Sequence, residues 1–178
     1  MKEGIRAVGI DDGPLSDRTL LVGVVMRRDR FEGLVSTRVT RDGTDATEKI
    51  LSMLSGRFSK QIHVVFLDGI AVAGFNLVDY VELSRELGVP VIAVTENEPH
   101  PDEFEVAVSR WKDRLNLWNR IKQPPFRAGK VWFQFAGTSE REARELIQHF
   151  TVHSKVPEPL RIAHMIAAGI ELGESKGL

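Results

Sequence analysis

The apolar run AVGI (residues 7–10) ends on two adjacent aspartates, Asp11 and Asp12, before Gly13 and Pro14 turn the chain. A second apolar run, VVFL (64–67), ends on Asp68, and Asp42 and Asp45 punctuate the segment TRDGTDAT that lies between the two runs. Carboxylates are hard oxygen ligands, and a cluster of them in a chain without cysteine suits Mg²⁺ or Mn²⁺, not zinc. Two such ions about 4 Å apart can activate water and stabilise a leaving oxygen in phosphodiester cleavage. The same aspartates also serve as plain turn and cap residues that accept from nearby backbone N–H groups. Which reading holds depends on whether the fold brings them together.

The elements that must position them can be read from hydrophobic periodicity. Residues 5–11, 19–28 and 31–40 alternate or run apolar as strands, and the short link between the last two fits an antiparallel hairpin. Over 44–58 the spacing of Ile50, Leu51, Leu54 and Phe58 predicts an amphipathic helix, with Thr44 or Asp45 at its N-cap. Residues 62–69 and 89–95 are continuously apolar, the pattern of strands buried on both faces, and 75–88 between them reads as a helix ending on Gly88. A further helix is expected over 104–121, a strand over 130–137, a capped helix over 138–150, and a last helix opened by prolines from 157. An antiparallel three-strand meander leading into parallel βα units is the element order of a ribonuclease H-like mixed sheet with helices on both faces. Ligands of such sheets gather beyond the carboxyl ends of adjacent parallel strands. If the first and fourth strands are neighbours, Asp11 and Asp68 converge there. Asp12, the next residue on, should point to the opposite face because side chains alternate.

Composition sets the wider bounds. The chain has 178 residues, 42% hydrophobic and 28% charged, which fits one soluble domain over 1–178. Twenty-four basic and 25 acidic residues leave a net charge of -1, so the whole molecule carries no nucleic-acid signature, although a local basic face is compatible with it. The absence of cysteine excludes thiolate catalysis and sulfur-ligated zinc and fits a reducing cytoplasm. No apolar stretch approaches the roughly 18 residues of a membrane span, and the opening MKEGIRAVGI is charged at once, unlike a secretory signal. The segment GIAVAG lacks the lysine of a phosphate-binding loop. His63 falls inside a buried strand, whereas His100, His149 and His153 read as surface residues and Arg27, Arg28 and Arg30 as a solvated hairpin. Trp111 and Trp118, seven apart, share a helical face and read as packing residues.

Three segments carry a resemblance. The closing KVPEPLRIAHMIAAGIELGE is similar to the final motif of endonuclease V, where proline, glutamate, proline, arginine, alanine and histidine occur in this order. AVGIDD resembles that family's first-strand motif, with Asp11 at the metal-binding aspartate, and VVFLDGIAVAG followed by ELGVPVIAV resembles its central segment, with Asp68 at the second aspartate. The whole chain also resembles the mainly archaeal group called domain of unknown function 99, regarded as a distant relative of endonuclease V. The resemblance implies a ribonuclease H-like fold and Mg²⁺-dependent cleavage of DNA or RNA beside a deaminated base. Three features depart from it. The family's glutamate before the first long helix has only Asp45 or Asp42 as an equivalent, and its aromatic-proline wedge has no counterpart in GLVSTRVTRDG. Thr95 and Glu96 stand where it has a lysine, which replaces a cation by an anion.

These readings lead to a divergent metal-dependent nuclease with Asp11 and Asp68 as metal ligands, Asp45 as a third, and Asp12 or Asp42 as an auxiliary ligand. His164 would orient water or contact the scissile phosphate. The alternative is a catalytically weak or inactive member of the same fold that binds nucleic acid or a protein. A small-molecule enzyme at the same carboxylates is a third possibility that no sequence feature favours.

Overall fold

The protein is described by a computed structural model covering residues 4–176. Three strands, β1 (Ala7–Asp12), β2 (Arg18–Arg27) and β3 (Arg30–Thr40), form the expected antiparallel meander and lead into α1 (Ala46–Leu54). Strand β4 (Val64–Asp68), a two-strand hairpin of β5 (Ala71–Val72) and β6 (Asn76–Leu77), α2 (Tyr80–Leu87) and β7 (Val91–Thr95) come next. The chain continues through α3 (Pro101–Val108), α4 (Lys112–Ile121), β8 (Phe126–Ala128), β9 (Val131–Ala136), α5 (Glu140–Phe150) and α6 (Glu158–Leu172).

Seven strands make one mixed sheet in the order β3-β2-β1-β4-β7-β9-β8, with β4 parallel to β1, β7 parallel to β4, and β9 antiparallel to β7. This is the ribonuclease H-like arrangement anticipated from the element order. Nearly every residue of β1, β4 and β7 is buried, because helices cover both faces. Side chains of α1, α2 and α4 fill one face, among them Ile50, Leu54, Tyr80, Leu83 and Trp118. Helix α5 covers the other with Ala143, Leu146, Ile147 and Phe150, an i, i+3, i+4, i+7 stripe whose large members each contribute about 1.5–3 kcal/mol by burial. Among the described residues, no helix is long and apolar enough to cross a membrane.

Several local expectations are corrected. Helix α1 is shorter than the periodicity suggests, and the carboxylate of Asp45, at its N-cap position, makes no capping bond because it is turned back onto Thr40. The first helical N–H, of Ala46, is instead accepted by Asn76 Oδ1 at 3.1 Å, from the β5–β6 hairpin. Residues 76–77, expected to be helical, belong to that hairpin, and α2 is capped at Asp79, which accepts from Glu82 N at 2.9 Å. The helix expected over 104–121 is two helices. Ser109 ends α3 by donating its hydroxyl to Val106 O at 2.7 Å, and Trp111 is extended at the start of α4.

Helix α6 lies across β1 at contact distance. A Cβ on Gly9 would stand 2.3 Å from the carbonyl carbon of Pro159 and 2.4 Å from Leu160 N, so only glycine lets the backbones approach this closely. Further along, Ala163 and Ala167 pack on β2. Gly9→Ala must push α6 off the sheet and is expected to destabilise the protein by about 1–3 kcal/mol in urea unfolding. Gly56→Ala, at a position with nothing within 4 Å, should leave the unfolding midpoint nearly unchanged.

Candidate active site

Strands β1 and β4 pair with Ile10 opposite Leu67, so Asp11 and Asp68 are the next residues on two adjacent parallel strands. Their carboxyls are in hydrogen-bond contact. Asp11 is 3% exposed, whereas Asp68 is open to solvent at the sheet's rim. The α6 contact at Gly9 sets a helix face against this strand end, and His164 Nδ1 lies 3.0 Å from Asp11 Oδ2. The other oxygen of Asp11 accepts from Asp12 N at 2.7 Å. Asp12 itself engages a different element: its Oδ2 accepts from Ala73 N, in the β5–β6 hairpin, at 2.7 Å. The first two candidate ligands and His164 are thus brought together, with Asp12 directly behind them.

Asp42 and Asp45 have other work. Asp42 Oδ1 accepts from Phe75 N at 2.9 Å, and its own N–H donates to Ala73 O at 2.8 Å, which fastens the hairpin to the turn after β3. Asp45 accepts from Thr40 N, Thr40 Oγ1 and Asn76 Nδ2, the last at 2.7 Å. Partial burial pushes the Asp45 carboxyl up, but the Asn76 and Thr40 donors outweigh it and hold the group below its ordinary value. Both aspartates fasten loops through these bonds. Asp11, Asp68 and His164 meet, but among the described residues no group of three or more acidic, histidine or cysteine side chains is arranged to hold a metal ion.

One acidic residue that the sequence reading treated only as a lost cation stands near the pair. Glu96, just past β7, is close enough to raise the Asp68 carboxyl, and its Oε2 is 3.0 Å from Lys155 Nζ. A lysine is therefore present at this edge, delivered by the α5–α6 connection and not by the segment after β7. Only the folded chain shows this, because 59 residues separate the two partners.

A cavity of about 430 Å³ opens directly beyond Asp68. Gly69 and Ile70 form the wall next to the aspartate, and Phe75, Phe104 and Trp118 line it with aromatic surface. His100 and Gln134 supply polar atoms. A second cavity of about 500 Å³ lies between α1, α2 and α4, but its arginines are committed. Arg114 donates to the carbonyls of Phe75, Asp42 and Gly43, and Arg120 pairs with Asp79.

Burial and the neighbouring Asp68 carboxylate push Asp11 up to about 9 from an ordinary 3.8. Burial also raises Asp12 and Asp68, the latter helped by the Asp12 charge. The folded protein therefore keeps a proton on Asp11 that the unfolded chain releases. Stability from this group is full below about pH 4 and is lost as pH rises toward about 9. Asp11→Asn removes that loss. In metal-free buffer it should melt at least about 3 °C above the parent at pH 8, with the gap closing as pH falls to about 4. Thermal melts across this range would show it, and equal melting temperatures at pH 8 would contradict the assignment.

Comparison with known proteins shows the family and the fold. The model of the family described as endonuclease dU matches residues 3–171. A UPF0215 protein of Methanothermobacter thermautotrophicus is 41% identical, over 99% of this chain and 93% of its own length. Among solved structures, a protein of unknown function from Archaeoglobus fulgidus superposes with a TM-score of 0.88 at 34% identity, covering 93% of this chain and 98% of that one. Endonuclease V of Ciona intestinalis, solved with a DNA containing an inosine followed by a ribo-adenosine, gives a TM-score of 0.60 at 12% identity. It covers 89% of this chain and 82% of that one, a likeness of fold. The chain belongs to the endonuclease dU family.

Proposed function

We propose that the protein is a Mg²⁺- or Mn²⁺-dependent endonuclease that cuts DNA beside a deaminated base, with deoxyuridine as its preferred lesion. The observation that carries this reading is the Asp11–Asp68 pair, two carboxyls set side by side at the ends of adjacent parallel strands. The family's description and the ribonuclease H-like fold shared with endonuclease V support the reaction class.

The donor set suits the ion. Mg²⁺ is ordinarily held by one or two carboxylates, with waters and substrate phosphate completing its shell, so Asp11 and Asp68 suffice without a third protein ligand. Such an ion supplies Lewis acidity to the phosphate and lowers the pKa of water. His164 holds Asp11 through Nδ1, and its Nε2 makes no bond among the described residues, leaving it to position water or the leaving oxygen. Lys155, paired with Glu96, supplies positive charge for the phosphate at the same edge. The aromatic cavity past Asp68 would take the extruded base, as base-processing enzymes do with stacked aromatic and apolar walls. Asp12, Asp42 and Asp45 keep the strand end and hairpin in place.

Incubating the protein with end-labelled oligonucleotides carrying one deoxyuridine, one deoxyinosine or neither tests this directly. Cleavage at deoxyuridine should need Mg²⁺ or Mn²⁺, stop with EDTA and fall at least about 1000-fold in Asp68→Asn. Either ion should also raise the melting temperature by mass action, and Asp11→Asn should lose most of that shift. Binding that survives EDTA without any cleavage would establish the alternative, an inactive nucleic-acid-binding member of the fold.

A further inference from the structure

The outer wall of the cavity is built from a run of aromatic rings that continues past it. Trp118 and Phe104 have centroids 4.9 Å apart, Phe104 and Phe75 6.2 Å, and Phe75 and Trp111 5.4 Å. The first three rings line the cavity, but Trp111 lies outside its lining. The guanidinium carbons of Arg110 and Arg114 stand 4.0 and 4.4 Å from the Trp111 centroid, and that of Arg110 also lies 5.4 Å from the Phe75 ring.

The two arginines differ in what they have left to offer. Arg114 is buried, and its donors go to the main chain of the hairpin and the Asp42 turn. Arg110 is exposed and, among the described residues, makes neither an ion pair nor a hydrogen bond through its side chain. A guanidinium over an indole can present a second face for stacking and its N–H edges for phosphate oxygens. An exposed arginine on an aromatic shelf, with no carboxylate to neutralise it, complements a base and its backbone together.

We infer that the Arg110–Trp111 shelf is the binding site for the nucleotide adjacent to the one whose base enters the cavity, held unstacked from its neighbours. This rests on the nuclease reading for its ligand, but not on the metal or on cleavage. The substrate therefore presents an unpaired nucleotide beside the lesion, and single-stranded or locally opened DNA binds better than closed duplex.

Binding in EDTA tests this with cleavage switched off. The probe is a single-stranded oligonucleotide with one deoxyuridine and the fluorescent base 2-aminopurine placed next to it on the 5′ or the 3′ side. One of the two probes should be quenched by the parent protein. Arg110→Ala should weaken affinity about 10-fold and lose the quenching, and Arg110→Lys, which keeps the charge without the flat face, should recover affinity only in part. The melting temperature and its shift with Mg²⁺ should stay those of the parent. Parent-like affinity in Arg110→Ala, or two probes that remain as bright as free DNA, would overturn the shelf while leaving the nuclease reading standing. Failure of every oligonucleotide to bind, in EDTA and again with Mg²⁺ restored, would overturn both.

Discussion

The register between β1 and β4 governs the candidate site, because Asp11 and Asp68 follow Ile10 and Leu67, which pair directly across the two strands. Strand side chains alternate, so a slip of one residue would send one aspartate to the far face and separate the pair. The rest of the fold holds that register from both sides. Helix α6 rests on Gly9, where no Cβ can intervene, and the hairpin after β4 is tied to β1 through the Asp12–Ala73 bond. Asp42 and Asn76 in turn tie the hairpin to the meander and to the start of α1.

That arrangement concentrates an electrostatic cost at one point. Asp11 is buried beside the carboxyl of the solvent-facing Asp68, and burial together with that neighbouring charge favours a proton on Asp11. The nearest compensating side chain is His164, and Lys155 is directed to Glu96.

Much of this was legible from residue types. The strands around Asp11 and Asp68 announce themselves by continuous apolar runs, since burial on both faces leaves no alternation to misread. His164 is marked by the motif around it. For Asp42 and Asp45 the sequence cannot separate a turn aspartate from a metal ligand, because the residue is the same; only the fold shows their donors, Phe75 N for one and Thr40 and Asn76 for the other. Strands of two residues, such as β5 and β6, are too short for periodicity to register. The α3–α4 break depends on a serine hydroxyl bonding back to Val106, and the Glu96–Lys155 pair depends on connections that no local pattern encodes.

The bond between His164 and Asp11 joins positions 153 residues apart. Both aspartates emerge from the ribosome well before the helix that completes their surroundings. A nascent chain therefore holds the acidic pair without the imidazole, and its centre is finished only when the last helix docks. The contact is in this sense a late event of biosynthesis, made only once the 151–157 connection has been passed and α6 has packed on β1.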